Sequence, residues 1–317
     1  MFGPFLALHI PDGFLDIPVS LVGWLLAVMF IGIALREMRP AEREVPLIGT
    51  LAAFIFAAQM INFPVAGGTS GHLIGGTLAA ILLGPWAAVI VMTCVVAIQA
   101  LIFQDGGLIV MGFNLVNMAI ITPFVGYAAY HWGRKLLTHS TRGWLVAAAV
   151  GAWASVVAAA AACALQLAVS GTSALKVVLP AMLGVHAVIG LGEALITVGA
   201  LAFIQQTRPD LVDPEAPVPA RGSSWIAAGL AVALVITLLS PLASASPDGL
   251  ERVAEDQGFL ETARDAPYEI IPDYLIPAID NEAVATIAAG VIGVAVVATV
   301  GYGTAALRKR RDSRAAQ

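Results

Sequence analysis

Nine long apolar runs, each bounded by polar residues or by glycine and proline, restrict this chain to a membrane fold. They cover residues 19–35, 46–61, 73–83, 86–103, 107–130, 144–169, 177–204, 224–242 and 283–306. A helix needs roughly 20 apolar residues to cross a bilayer. Hydrophobic residues make up 59% of the chain and charged residues only 12%, so lipid must surround most of it. We therefore predict an all-α polytopic membrane protein.

The third run, residues 73–83, is too short to cross the membrane by itself. It follows the glycine-rich segment 64–72, and non-helical backbone is tolerated at membrane depth only where protein surrounds it. We expect this loop and the short helix to fold into the bundle together. The domain prediction is a seven-segment helical bundle in residues 1–204, a proline-rich cytoplasmic linker in 205–223 and a two-helix transmembrane hairpin in 224–317.

The basic residues predict the orientation in the cell membrane. If the N-terminus is extracytoplasmic, 13 of the 16 lysines and arginines lie on the cytoplasmic side, and only Lys176, Arg252 and Arg264 lie outside. The positive-inside rule favours this orientation, which places the C-terminus in the cytoplasm. The basic residues form no face suited to nucleic acid, so lipid is the expected surrounding.

The predicted external loop, residues 243–282, is strongly acidic, with ten acidic residues against two arginines. We expect it to be solvated and to attract cations weakly. A plain cap that only separates the two helices is an equal alternative.

Two histidines are predicted to reach the same outer face of the bundle. His9 precedes the first apolar run, and His72 ends the glycine-rich segment before the third. Neutral imidazole is the commonest side-chain ligand for borderline divalent metals. Either histidine alone would more often be structural, but together they predict a metal site.

Further polar residues enter the apolar runs. His186 and Glu193 are seven residues apart and share one helix face. A carboxylate at the centre of a membrane helix costs roughly 2.5 to 3.5 kcal/mol on insertion scales, so Glu193 is expected to support a site or to link helices, with a local hydrogen bond as the alternative. Five more polar residues flank or enter the outer half of the bundle, where polar side chains commonly join helices. Joining helices is the default interpretation and support of a binding site is the alternative for Asn62, Gln99, Asp105, Asn114 and Asn117.

No enzyme motif is present. The segment AGGTSG (66–71) lacks the lysine that closes a phosphate-binding loop, so ATP hydrolysis must come from other polypeptides. No nucleophile, base or paired-carboxylate arrangement suggests catalysis, and no catalytic cofactor is expected. Cys94 and Cys163 lie within apolar runs and are interpreted as small buried hydrophobes.

Several separate motifs resemble one transporter family. They are HIPDGFL (9–15), NFPVAGGTSGHLIGG (62–76), LLGPWAA (82–88), IQALIFQDGG (98–107), FNLVNMA (113–119) and HAVIGLGEALIT (186–197). Together they resemble the M component of cobalt/nickel energy-coupling-factor transporters. The segment PDGLE (247–251) resembles the domain of that name, which plays the role of the small N component.

The resemblance implies a metal-capturing subunit that works with a transmembrane coupling protein and two cytoplasmic ATPases, and transports Co²⁺ or Ni²⁺. It implies a near-square-planar nitrogen set formed by the terminal amine, the backbone nitrogen and side chain of His9, and His72. All-nitrogen planar coordination suits Ni(II) and, less strongly, Co(II). Residues expected to support these ligands are Asp12, Thr69, Asn114, Asn117, His186 and Glu193.

The chain departs from the family pattern at its beginning, because eight residues precede His9. A start at Leu8, trimming to Leu8, or an altered site would each account for this, and we expect one of the first two. Leu8 would then supply the terminal amine. Two other classes remain open: a self-sufficient secondary metal transporter with His186 and Glu193 as a relay, and an intramembrane metalloenzyme with an open coordination position.

Overall fold

The computed structural model describes residues 9–137, 142–212, 216 and 224–315. Its helices are α1 (Ile17–Glu37), α2 (Glu44–Gln59), α3 (Gly76–Leu83), α4 (Pro85–Phe103), α5 (Met111–Leu136), α6 (Gly143–Val169), α7 (Leu175–Thr207), α8 (Ser224–Leu239), α9 (Gly249–Gln257) and α10 (Glu282–Ala315). Two short strands, β1 (Phe63–Val65) and β2 (Thr69–Gly71), form an antiparallel hairpin. A helix lies in each of the nine apolar runs, and the predicted all-α membrane fold is confirmed.

Seven of the described helices are long and apolar enough to cross a membrane. They are α1, α4, α5, α6, α7, α10 and the segment Trp225–Leu242, which contains α8. The other two apolar helices are shorter, since α2 has 16 residues and α3 has eight, or about 24 and 12 Å at 1.5 Å per residue.

The expectation that the glycine-rich loop folds into the bundle holds for its second half: residues 69–71, 73 and 75 are buried, whereas the hairpin turn at residues 66–68 is exposed. Leu73 is fully buried, and the Gln59 side-chain amide donates to the Ile74 carbonyl at 2.8 Å. This bond supplies a donor to backbone that has no helical partner, which is the condition for irregular backbone at this depth.

Local sequence features accompany the start of α1 and a change of helical form within α5. The Asp16 side chain accepts a hydrogen bond from Val19 N at 2.9 Å and so caps α1. Helix α5 contains a π-helical stretch, Leu115–Ile121. Pro123 lies two residues after its end and has no amide hydrogen to offer the preceding turn. The asparagines at 114 and 117 lie at the start of this stretch, and π turns are frequent at functional sites.

The alanine-rich helix α6 packs inside the molecule, between α5 and α7. Its Gly151 lies against α5 so closely that a Cβ there would be 2.6 Å from the Gly126 carbonyl oxygen. Small residues let helix backbones approach in this way.

The two C-terminal spanning helices, α8 and α10, pack along α2 more extensively than against each other. Near the basic end of the bundle, the Arg308 guanidinium donates to the carbonyl oxygens of Met38 at 3.1 Å and Arg36 at 2.7 Å. The predicted hairpin is therefore joined to the first part of the chain along its length.

The acidic segment 243–282 is not the solvated loop that its composition suggests. Leu250, Val253 and Phe259 are buried, and the Phe259 ring lies 5.1 Å from the Phe14 ring. Asp248 and Glu251 form a capping box at the start of α9. The expectation was wrong in part: eight of the ten acidic residues are exposed, but Asp248 and Glu251 are buried, and the apolar residues of the segment pack on the N-terminal part.

The predicted linker, 205–223, begins inside α7, which continues to Thr207, and includes a 3₁₀ turn at Pro209–Leu211. Residues 213–215 and 217–223 lie outside the described part of the chain. The division into residues 1–204, 205–223 and 224–317 remains a prediction.

Candidate metal centre

His9 and His72, 63 positions apart in the chain, lie side by side at one end of the bundle. Their ring centroids are 6.3 Å apart and the rings are inclined by 41°. Two imidazoles that bind one ion at metal–nitrogen distances of about 2.0 to 2.1 Å have centroids no more than about 6.5 Å apart. The separation is just below this limit, so it allows both rings to bind a single ion from nearly opposite sides.

Both histidines face a cavity with a volume of about 90 Å³. The volume suffices for an ion and a few waters. Its lining residues come from the N-terminal segment, the loop before α3, helices α5, α6 and α7, and the start of α9: His9, Ile10, Gly71, His72, Ile74, Asn114, Asn117, Met118, Val156, Ala159, Ala160, Cys163, Met182, His186, Ile189, Asp248, Gly249 and Leu250.

The orientation of the His9 ring is set by Asp105. His9 Nδ1 lies 2.9 Å from Asp105 Oδ1, and both side chains are buried. Burial alone raises the pKa of Asp105, but the neighbouring His9 and the hydrogen bonds from His9 and Tyr274 outweigh it, so the pKa lies below its usual value. An ionised carboxylate accepts a hydrogen bond from Nδ1–H, so in the neutral ring the lone pair is on Nε2.

His9 Nε2 is the atom of this ring that is left for a ligand. It is buried and has no hydrogen-bond partner among the described residues, which is uncommon for a buried polar atom. A chelate through the backbone nitrogen and ring of the same histidine uses Nδ1, so it would require the bond to Asp105 to be exchanged.

The backbone around His9 is held by two residues of the candidate set. Asn114 accepts from Ile10 N and donates to the Ile10 carbonyl, both at 3.0 Å. The Asp12 carboxylate accepts from the three successive amides of residues 108–110, at 2.8 to 3.1 Å. Asn114 and Asp12 therefore support the position of His9, because their side chains are already hydrogen-bonded to backbone groups.

Replacing Asn114 with alanine is expected to destabilise the protein by about 2 kcal/mol. The buried amide of Ile10 loses its acceptor, and the Ile10 carbonyl keeps only the bond from Gly107 N at 2.9 Å. Thermal unfolding in detergent without metal measures the effect. The matched control is Asn281→Ala, since exposed Asn281 accepts from Val284 N at 3.1 Å at a helix start, and it should cost about 1 kcal/mol or less. Equal melting temperatures for the two variants would contradict the role given to Asn114.

The backbone after His72 is held by Glu193. This fully buried carboxylate accepts from Ile74 N and from Gly75 N, the latter at 2.9 Å. The His72 ring Nδ1 lies 3.0 Å from the Leu73 carbonyl oxygen. Within the described residues, the hydrogen bonds of Glu193 go to this loop and not to His186, so no relay joins the two.

The other candidate side chains have separate positions. His186 lines the cavity, and its Nδ1 bonds the Met182 carbonyl at 2.8 Å. Asn117 also lines the cavity and forms two hydrogen bonds with the Gln166 amide, at 2.9 and 2.7 Å. Thr69 donates to the Pro247 carbonyl at 3.0 Å and so contacts the PDGLE segment instead of the cavity.

The PDGLE segment forms one wall of the cavity. Ser70 N donates to the Pro247 carbonyl at 2.8 Å, beside the strand that leads to His72. Gly249 approaches α7 so closely that a Cβ would lie 3.0 Å from His186 Nε2. Burial raises the pKa of both Asp248 and Glu251, and their mutual repulsion adds to the rise at Glu251.

Two residues at the site were not among the metal-site candidates. Asp105 was interpreted as joining helices by default, with support of a site as the alternative, and its motif, QDGG, is among those that carry the resemblance. Tyr274 had no signal in the sequence, and its hydroxyl donates to Asp105 Oδ2 at 2.6 Å. Leu8 lies outside the described residues, so its role stays a prediction.

A bundle of membrane-spanning helices that encloses a small cavity lined by histidines defines the ligand-binding part of a membrane transport protein. Residues 9–211 match the family model described as the cobalt uptake substrate-specific transmembrane region, and residues 223–310 match the PDGLE domain. The chain belongs to this family of cobalt uptake transmembrane proteins, in a form fused to a PDGLE domain. The prediction of a transporter rather than an enzyme is confirmed, since the relatives are named as transport proteins.

Relatives with both parts align with most of the chain. A protein of Archaeoglobus fulgidus, whose name is that of a fused nickel transport protein, is 37% identical over 298 residues, covering 93% of this chain and 97% of its own. A fused nickel transport protein of Rhodobacter capsulatus is 33% identical over 266 residues, or 78% of this chain and 76% of its own. The crystal structure of a truncated transition metal transporter superposes with a TM-score of 0.57 at 35% identity, covering 63% of this chain and 99% of that one.

Proposed function

We propose that this chain is the subunit of a Co²⁺ or Ni²⁺ importer that captures the ion at the extracytoplasmic face. The observation that supports this most is the close approach of His9 and His72 at one cavity. Imidazole nitrogen suits both ions, and relatives are named as cobalt or nickel transport proteins.

The His9 ring, the His72 ring and the terminal amine of a chain that starts at Leu8 are the proposed ligands. His9 has a buried unpartnered Nε2, which an ion would satisfy. A buried dication also requires compensating negative charge. Asp105, bonded to His9, and Asp248, in the cavity wall, are placed to supply it.

Asp12, Asn114 and Glu193 support the proposed ligands through the backbone, by the hydrogen bonds described above. Asn117 and His186 shape the cavity wall. Thr69 ties the loop of His72 to the PDGLE segment, which agrees with a role of the C-terminal part in loading the ion through this wall.

The proposed orientation places the histidine end outside the cell. The chain connections that carry most of the basic residues lie at the other end of the bundle, where Arg308 contacts the backbone of Arg36 and Met38. Such a distribution favours a cytoplasmic location for that end.

Energy for uptake is proposed to come from a separate transmembrane coupling subunit and cytoplasmic ATPase subunits. Cells that express the chain with these partners should accumulate radioactive Co²⁺ or Ni²⁺. Cells whose ATPase carries a substitution that abolishes ATP hydrolysis should accumulate at most a background amount. Full uptake without active ATPase would contradict the proposal and favour a self-sufficient secondary transporter.

A further inference from the structure

Tyr274, in the C-terminal part of the chain, reaches the core beside the metal site. It ends the short turn Pro272–Tyr274, and its side chain is buried. The ring stacks on Phe103 with centroids 4.7 Å apart at 15°, and lies 6.2 Å from the Phe56 ring. Both phenylalanines belong to helices of the N-terminal part, so Tyr274 is packed within a bundle to which its own segment does not contribute a spanning helix.

The backbone at this turn adopts a conformation that L-residues rarely use. Asp273 has φ 50° and Tyr274 has φ 58°, in the left-handed region that disfavours side chains with a Cβ. Two such residues in succession persist only where surrounding contacts hold them. The contacts that hold the turn include the ring stack, the hydroxyl bond and a backbone hydrogen bond from Ile271 N to the Ile102 carbonyl at 3.0 Å.

The hydroxyl of Tyr274 completes a chain of hydrogen bonds that ends at His9. It donates to Asp105 Oδ2 at 2.6 Å, while Asp105 Oδ1 contacts His9 Nδ1 at 2.9 Å. Burial, together with the charge of Asp105, raises the pKa of Tyr274 well above its ordinary value, so the phenol keeps its proton and donates. Each carboxylate oxygen thus has a partner among the described residues, and the Asp105 side chain has little freedom to turn.

We infer that Tyr274 is a positioning residue of the metal site, which acts through Asp105 to orient the His9 ring. The inference rests on the proposed function, in which His9 is a ligand. Partners of a metal-bound histidine fix its tautomer and ring direction, and their loss costs about 10- to 100-fold in metal affinity. The C-terminal part of the chain would in this way set the affinity of a site whose histidines belong to the N-terminal part.

The test is a double-mutant cycle on the full-length protein purified in detergent, with Ni²⁺ affinity and the visible d–d absorption of bound Ni²⁺ as readouts. Tyr274→Phe keeps the stack on Phe103 and should raise Kd about 10-fold and shift the absorption band. Asp105→Asn should raise Kd about 10- to 100-fold. The double variant should match Asp105→Asn within about twofold, because the hydroxyl acts only through that carboxylate.

Tyr268→Phe is the matched control. Tyr268 lies in the same segment and its hydroxyl donates to the Leu101 carbonyl at 2.9 Å, so its loss should leave Kd and the absorption unchanged. An unchanged or tighter Kd in Tyr274→Phe, or fully additive effects in the cycle, would overturn the inference. His72→Ala distinguishes failure of the proposed function from failure of this inference. If this variant binds Ni²⁺ like the wild type, the proposed metal site is wrong. If it loses binding while Tyr274→Phe has no effect, only the inference about Tyr274 is refuted.

Discussion

Replacing His72 with alanine is expected to weaken binding of Ni²⁺ or Co²⁺ to the purified chain by at least about 100-fold, the upper limit of what loss of an outer-shell partner costs. The expectation follows from the 6.3 Å separation of the His9 and His72 rings across one cavity. Removing the His72 ring takes away one of the two imidazoles that the proposed site requires. Equilibrium titration with competing chelator measures Kd, and metal analysis of the purified protein measures occupancy.

His131→Ala is the control for this prediction. His131 is exposed on α5, where its ring stacks on Tyr127 at 6.2 Å, and it does not line the cavity. This variant should retain the wild-type Kd. Wild-type affinity in His72→Ala would show that the ion binds elsewhere, and the proposed site would have to be abandoned.

Replacing Glu193 with alanine is expected to lower the free energy of unfolding by about 3 kcal/mol, because the buried amides of Ile74 and Gly75 lose their acceptor. The same change frees the backbone that follows His72, so metal affinity should also fall, by about 10-fold or more. Glu193→Gln, which keeps one acceptor oxygen, should lie between alanine and wild type. Denaturant unfolding in detergent and metal titration measure the two effects.

The control for Glu193 is Glu44→Ala. Glu44 also accepts a backbone amide, that of Ala41 at 2.9 Å, but at an exposed helix start on the other side of the bundle. Its loss should cost less than about 1 kcal/mol and leave metal affinity unchanged. A Glu193→Ala protein no less stable than Glu44→Ala would refute the role of Glu193 in holding the loop.

The apolar runs predicted most of the helices, because burial in lipid requires a hydrophobic stretch of nearly fixed length. The positions of the two histidines at the ends of apolar runs predicted that they lie on the same side, since alternate crossings return the chain there, and their rings lie 6.3 Å apart. Their role as metal ligands stays a prediction. Glu193 was recognised as purposeful, because a buried carboxylate needs partners. Its partners turned out to be backbone amides and not His186.

The C-terminal contribution to the site was not predictable in the same way. The acidic composition of residues 243–282 suggested a solvated loop, and the buried positions of Leu250 and Phe259 follow only from packing against the N-terminal segment. Tyr274 reaches Asp105 across 169 positions, and no periodicity or spacing relates residues so distant. Its left-handed backbone is a local cost that only these long-range contacts offset.

The amino-acid sequence by itself determined that lipid surrounds most of this protein. It also determined the number and order of the apolar helices and the presence of imidazoles and carboxylates at one end of the bundle. These properties depend on transfer between water and lipid, which acts on each segment separately. Only the tertiary structure decided that His9, Asp105 and Tyr274 form one chain of hydrogen bonds and that the PDGLE segment forms one wall of the cavity. Hydrogen bonds depend on distance and direction within tenths of an ångström, and those are set when distant segments pack together.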